Sequence, residues 1–160
     1  MSAAPVAALG FDDLRDLYQE VILDHGRRPR HGKGLAGYDA SARGDNPMCG
    51  DRVEVFVRRD GDRVAEAGFE ARGCAISIAS ADLMAETVAG RPVAQIRALF
   101  ERFRQMARTG DCPDCADDAA LERLRPLAGV SEYPSRVKCA TLPWYALMAA
   151  LDGKERASSE

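Results

Sequence analysis

Cys49-Gly50-Asp51 places a thiol and a carboxylate two positions apart in this 160-residue chain. Side chains at i and i+2 of an extended backbone share a face, so Cys49 and Asp51 point the same way and Gly50 keeps the space between them open. Sulfur and oxygen donors so arranged make half of a zinc site, to be completed from elsewhere in the chain. Cys74 and Cys139 are the candidates. Cys74 opens a helix rich in small residues, and Cys139 stands at or just before the start of the helix that carries Trp144. At a helix N-terminus, unpaired N–H groups and the helix dipole favour a thiolate. Arg136 and Lys138 add two positive charges beside Cys139. For Cys74, plain packing as a small hydrophobe is the alternative.

Three thiolates and one carboxylate suit tetrahedral zinc. Such a site keeps a net negative charge with the metal counted, which places it near the surface, partly compensated by Arg136 and Lys138. Replacing Asp51 is expected to change ligand exchange more than the fold, because three thiolates still hold the metal. A second cysteine signal, Cys112-Pro113-Asp114-Cys115, lies in a loop. It reads as half a metal site, a redox pair or neutral loop thiols, since the chain has no second Cys-x-x-Cys and no thioredoxin-type strand and helix around it. His25 and His31 have no metal-type spacing to a cysteine and read as packing or surface residues.

The positioning elements follow from periodicity. Leu14, Leu17, Tyr18, Val21 and Ile22 mark one face of a first helix that Gly26 stops. The basic loop Arg27 to Lys33 is a solvated surface or a docking point for an acidic partner. Residues 38–44 form a first strand; Val53, Val55 and Val57 alternate with Glu54, Phe56 and Arg58 in a second; Asp60-Gly61 turns the chain into a third, from Arg63 to Arg72. The result is an antiparallel meander with one wet face. Helices follow from Cys74 to Gly90 and from Pro92 to Arg108, then a short one capped by Asp117 or Asp118 that Pro126 disturbs and Gly129 ends. A last helix has Pro143 in its first turn. Cys49, Asp51, Cys74 and Cys139 can then converge at one end of a sheet whose helices pack on one face.

The composition, 46% hydrophobic, suits one domain with its own core. A net charge of −3 from interspersed acids and bases argues against a nucleic-acid or anionic-membrane binder. No apolar run approaches a membrane span and no signal peptide opens the chain, so a cytoplasmic location is expected. Five cysteines cannot all pair, and in a reducing compartment unpaired thiols serve more often as ligands or nucleophiles. Residues 1–10 read as a disordered leader, 11–152 as the domain and 153–160 as a disordered polar tail.

Four segments carry a resemblance: Leu17 to His25 (Leu-Tyr-Gln-Glu-Val-Ile-Leu-Asp-His), Asn46 to Asp51 (Asn-Pro-Met-Cys-Gly-Asp), Gly73 to Ser77 (Gly-Cys-Ala-Ile-Ser) and Arg136 to Leu142 (Arg-Val-Lys-Cys-Ala-Thr-Leu). Through them the chain resembles the SufU-type iron–sulfur cluster assembly proteins of the IscU/NifU-like scaffold superfamily. The resemblance implies an α+β domain with a three-stranded antiparallel sheet, and zinc held by Cys49, Asp51, Cys74 and Cys139. It also implies a cysteine desulfurase of the SufS type as sulfur donor and a downstream assembly scaffold as receiver. Lys138, where classical scaffolds have histidine, and an insertion of about twenty residues over 109–132 favour the SufU branch. Cys112 and Cys115 within that insertion depart from the family pattern.

The leading functional reading is a zinc-dependent, sulfurtransferase-like acceptor of persulfide sulfur, with Cys49 as the acceptor thiol. Cys49 lies in a turn where Gly50 can absorb a backbone change, whereas Cys74 and Cys139 are tied to packed helices. The same ligands could instead build an iron–sulfur cluster, with iron in place of zinc. A thiol redox protein using Cys112 and Cys115, and a zinc-stabilised interaction domain without chemistry, are the readings from other classes.

Overall fold

Alternating valines set the sheet. A computed structural model describes residues 11–157 apart from Cys49, and within 11–17 the backbone alone. The expected leader, residues 1–10, and the side chains of Leu14 and Leu17 lie outside the described residues. Strands β1 (Ala40–Asn46), β2 (Asp51–Asp60) and β3 (Arg63–Arg72) form an antiparallel sheet in the order β1-β2-β3. Ala42 stands opposite Val55 and Val55 opposite Phe69, so the apolar residues of one face line up across all three strands. Val53, Val55 and Val57 are fully buried there.

Helix α1 (Phe11–Arg27) precedes the sheet, and α2 (Ala75–Val88), α3 (Val93–Thr109), α4 (Ala119–Leu124) and α5 (Pro134–Leu151) follow it. Helix α5 packs on β1 and β2, α2 packs on β3, and the two helices also pack on each other. This is the α+β architecture expected from the sequence, with helices on one face of a three-stranded sheet. Trp144 anchors the core. It is fully buried, with its ring 5.0 Å from that of Phe103 and 5.9 Å from that of Phe100. The stripe Ile96, Leu99, Phe100, Phe103 and Met106 of α3 is buried as its spacing requires.

The insertion folds. Asp118 caps α4 by accepting from the backbone N–H groups of Ala120 and Leu121. Pro126 ends the α-helical geometry, and the chain continues as a 3-10 helix, Arg125–Glu132, past Gly129 rather than stopping there. Leu121, Leu124, Leu127 and Val130 are buried in the core.

Two readings need correction. The last helix begins at Pro134, not beside Pro143, so Pro143 lies in its interior and Cys139 in its second turn. Pro134 takes the first helical position, where a missing N–H costs nothing. Within the polar tail, read as disordered, residues 155–157 run along β1: Arg43 N–H donates to Glu155 O (2.9 Å) and Ala157 N–H to Arg43 O (2.9 Å). Backbone pairing there needs no apolar side chain, which is why composition missed it.

The segment after α1 is held by a buried acid. Asp82 of α2 is fully buried; one of its oxygens accepts from the backbone N–H groups of Arg30 (2.8 Å) and His31 (2.9 Å), and the other bonds His25 Nδ1 (2.5 Å). His31 in turn bonds β3 through Phe69 N–H at 3.0 Å. Much of the basic stretch Arg27 to Lys33 therefore has a structural task in its backbone. Asp82→Ala leaves three polar groups of this network without their acceptor and is expected to lower stability by about 3 kcal/mol. Denaturant unfolding monitored at Trp144 measures this, with the slope unchanged if the folded state keeps its compactness.

Candidate metal centre

The hairpin between β1 and β2 carries the first donor segment. Asn46 pairs with Asp51 at its base; Met48 N–H donates to Asn46 Oδ1 (3.2 Å) and Gly50 N–H to Asn46 O (2.9 Å). Gly50 has φ +74°, a left-handed conformation that a side chain would strain. Cys49, the expected partner of Asp51, lies outside the described residues.

Asp51 opens β2 and is 2% exposed. Its Oδ1 accepts the backbone N–H of Cys74 at 2.8 Å, and its Oδ2 lies 3.5 Å from Cys74 Sγ. The carboxylate thus serves the N-terminus of α2, for which Cys74 is the N-cap residue. The close approach depends on Gly73: its φ is +144°, and an added Cβ would stand 2.1 Å from Asp51 Oδ1. A side chain at position 73 would push the carboxylate off the helix.

Cys139 is fully buried in α5, with Sγ 3.8 Å from Ser135 O. The donor atoms of Asp51, Cys74 and Cys139 all lie within 4.8 Å of one another. Tetrahedral zinc with thiolate bonds near 2.3 Å requires donor atoms about 3.8 Å apart, so a small closing motion brings this set to metal-binding distance. Among the described residues this is the only grouping of three or more potential ligand atoms. Ordinary helix geometry distinguishes the two basic neighbours. Arg136, three residues before Cys139, shares its helix face, and its pKa is raised by its hydrogen bond to Cys139 and by the charges of Cys74 and Cys139. Lys138, one residue before, is rotated about 100° around the helix and is exposed.

Cys112 and Cys115 do not join this group; a disulfide links them. A disulfide offers no thiolate to a metal. An apolar cleft of about 610 Å³ opens next to Cys74, lined by Tyr18, Ile22, Ile76, Val130 and Tyr133 among others. Sequence reasoning missed Asp82 and the capping task of Asp51. The signal for Asp82 was present: it is the one charged residue in the run from Cys74 to Ala85.

A small α+β domain that gathers one carboxylate and two cysteines where a strand, a helix N-terminus and a second helix meet defines a thiolate-rich metal-site scaffold. The chain belongs to the family of the NifU-like N terminal domain, whose family model matches residues 17–140. It is 38% identical over 135 residues to a protein of Bacillus subtilis named "Zinc-dependent sulfurtransferase SufU", covering 84% of this chain and 89% of that one. It is 35% identical over 143 residues to the "Iron-sulfur cluster assembly scaffold protein IscU" of Streptococcus pyogenes, covering 89% and 87%. In fold it matches the crystal structure of the N-terminal part of a NifU-like protein from Brucella abortus, with a TM-score of 0.76 over 88% of this chain and 95% of that one at 23% identity.

The double task of Asp51 separates two substitutions. With metal chelated, Asp51→Ala is expected to lower stability by about 1–2 kcal/mol through the lost cap, while Asp51→Asn retains an acceptor for Cys74 N–H and loses less than half of that. Paired thermal melts in chelator measure the difference; equal losses would mean that the carboxylate, as charge, does more than the hydrogen bond.

Proposed function

We propose that this chain serves iron–sulfur cluster assembly by accepting persulfide sulfur from a cysteine desulfurase, with Cys49 as the acceptor thiol and zinc as the resident metal. The observation that carries the reading is the convergence of Asp51, Cys74 and Cys139 within 4.8 Å. The donor set fits the metal, since two soft sulfurs and one hard oxygen from separate elements leave one tetrahedral position for Cys49 from the adjoining hairpin. A bound zinc would keep its cysteines deprotonated at neutral pH.

The chain's own residues supply the rest. Cys74 and Cys139 are fixed by α2 and α5, whose packed faces resist displacement, whereas Cys49 is flanked by exposed Met48 and Gly50. In the transfer step the Cys49 thiolate attacks the terminal sulfur of the desulfurase persulfide. The partner's S–S bond breaks, its cysteine leaves as a thiolate, and the sulfur arrives as a Cys49 persulfide with no net change in oxidation state. Arg136 offers a fixed cation to thiolates at the site, and Lys138 a second one at the surface to an approaching partner. The similarity to a cluster scaffold supports a second reading, in which the same thiolates hold a cluster during its assembly.

Incubation with desulfurase and cysteine, followed by mass mapping, is expected to find added sulfur on Cys49. Cys49→Ser should bind the desulfurase yet accept no sulfur. Sulfur found only on Cys139, Cys112 or Cys115 would refute the assignment. Cys74→Ser is expected to lose metal by at least about tenfold in affinity and to melt lower, because metal binding energy is also folding energy. Metal analysis and melting with and without chelator test this, and equal melting temperatures would exclude a resident metal.

A further inference from the structure

The Cys112–Cys115 pair takes no part in the site above, and its surroundings fit chemistry better than reinforcement. Both residues lie in the loop between α3 and α4, three positions apart, so their bond ties no two elements together. The entropy such a link removes from the unfolded chain is small because the closed loop is so short. The turn itself brings the pair together: Cys115 N–H donates to Cys112 O at 3.3 Å, and the Cα atoms are 5.4 Å apart, within the range where a disulfide closes without backbone movement. No third donor joins the pair in the grouping of potential ligand atoms found among the described residues.

The two sulfurs differ in access. Cys115 is 3% exposed, with Sγ 4.0 Å from Met106 Sδ against the core. Cys112 is half-buried, and Pro113 and Asp114 between the two are exposed. A small thiol can therefore reach one sulfur and not the other.

We propose that Cys112 and Cys115 form a reversible dithiol–disulfide couple that exchanges with small thiols and disulfides of the glutathione class, with Cys112 as the exchanging sulfur and Cys115 as the resolving one. In the opening direction a small thiolate attacks Cys112 Sγ, the Cys112–Cys115 bond breaks, and Cys115 leaves as a thiolate that takes up a proton. A second small thiolate then attacks the mixed disulfide, frees Cys112 and departs as the oxidised small disulfide, so two electrons pass from two small thiols to the pair. Closing runs the same steps in reverse, with Cys115 expelling the small thiol from Cys112. The couple sits at the head of the segment whose 3-10 helix walls the cleft beside Cys74. The thiol pool is thereby sensed without using Cys49, Cys74 or Cys139.

The test uses the full-length, metal-loaded protein in glutathione buffers of increasing oxidised fraction, trapped with iodoacetamide and mapped by mass. Cys112 and Cys115 are expected to pass together from alkylated to linked in a single two-electron step. Cys115→Ser should then hold glutathione on Cys112 at least about tenfold more than Cys112→Ser holds it on Cys115, because only the accessible sulfur is attacked. Three outcomes would overturn the proposal: both cysteines alkylated in the most oxidising buffer, equal adducts on the two variants, or linkage of either cysteine to Cys49, Cys74 or Cys139. The wild-type titration decides the couple by itself if either variant fails to fold. None of these readouts uses the desulfurase, so failure here is distinguishable from failure of the sulfur-acceptor reading.

Discussion

A single carboxylate joins the sheet to the helices at the site. Asp51 begins β2, is almost fully buried, and accepts the first free N–H of α2 with one oxygen while the other faces the Cys74 thiol. A buried carboxylate needs such partners, since desolvation would otherwise drive it neutral. Gly73 makes the approach possible by leaving no Cβ in the way. The three residues act as one joint: strand, glycine and helix N-terminus must meet there before donors from distant parts of the chain can share a site.

Asp82 repeats the device seven residues beyond Ala75, where α2 begins. It too is a buried acid that accepts backbone N–H groups from a distant segment, here the turn after α1. Each acid gives one carboxylate oxygen to main-chain donors, Asp51 to Cys74 N–H and Asp82 to the N–H groups of Arg30 and His31. Helix α2, rich in alanine and serine, can lie close to its neighbours because its side chains are short; Ser80 donates to Ala140 O of α5 at 2.5 Å. A polar contact thus helps hold α5, which carries Cys139, against α2.

The sheet was legible because alternation with period two is a direct imprint of a one-sided core: Arg63 to Arg72 matches β3 end for end. Cys74 at the start of α2 was also legible, since Gly-Cys followed by small residues marks a strand-to-helix change. The start of α5 was not. Pro134 and Pro143 are nine residues apart in one helix, and sequence alone does not say which of them begins it. Assigning Pro143 to the first turn put Cys139 at a helix dipole that acts instead on Pro134 and its neighbours. The pairing of Asp82 with His25 escaped for a different reason: it joins residues 57 positions apart, and nothing local in either segment encodes the other. The convergence of Asp51, Cys74 and Cys139 was reached from donor chemistry, not from any pattern that contains all three.

A three-stranded sheet has two unsatisfied margins, and this one closes both with ordinary chain. Residues 155–157 bond Arg43 on the outer side of β1, while His31 and Gly34 bond Phe69, and Gly90 and Arg91 bond Val64, on the outer side of β3. An added strand from another molecule would have to displace these segments first, so templated stacking of one copy on the next is obstructed at both margins. Contact between copies is thereby steered away from backbone pairing at both margins, while Met48 and Gly50 of the β1–β2 hairpin stay exposed for other molecules to meet.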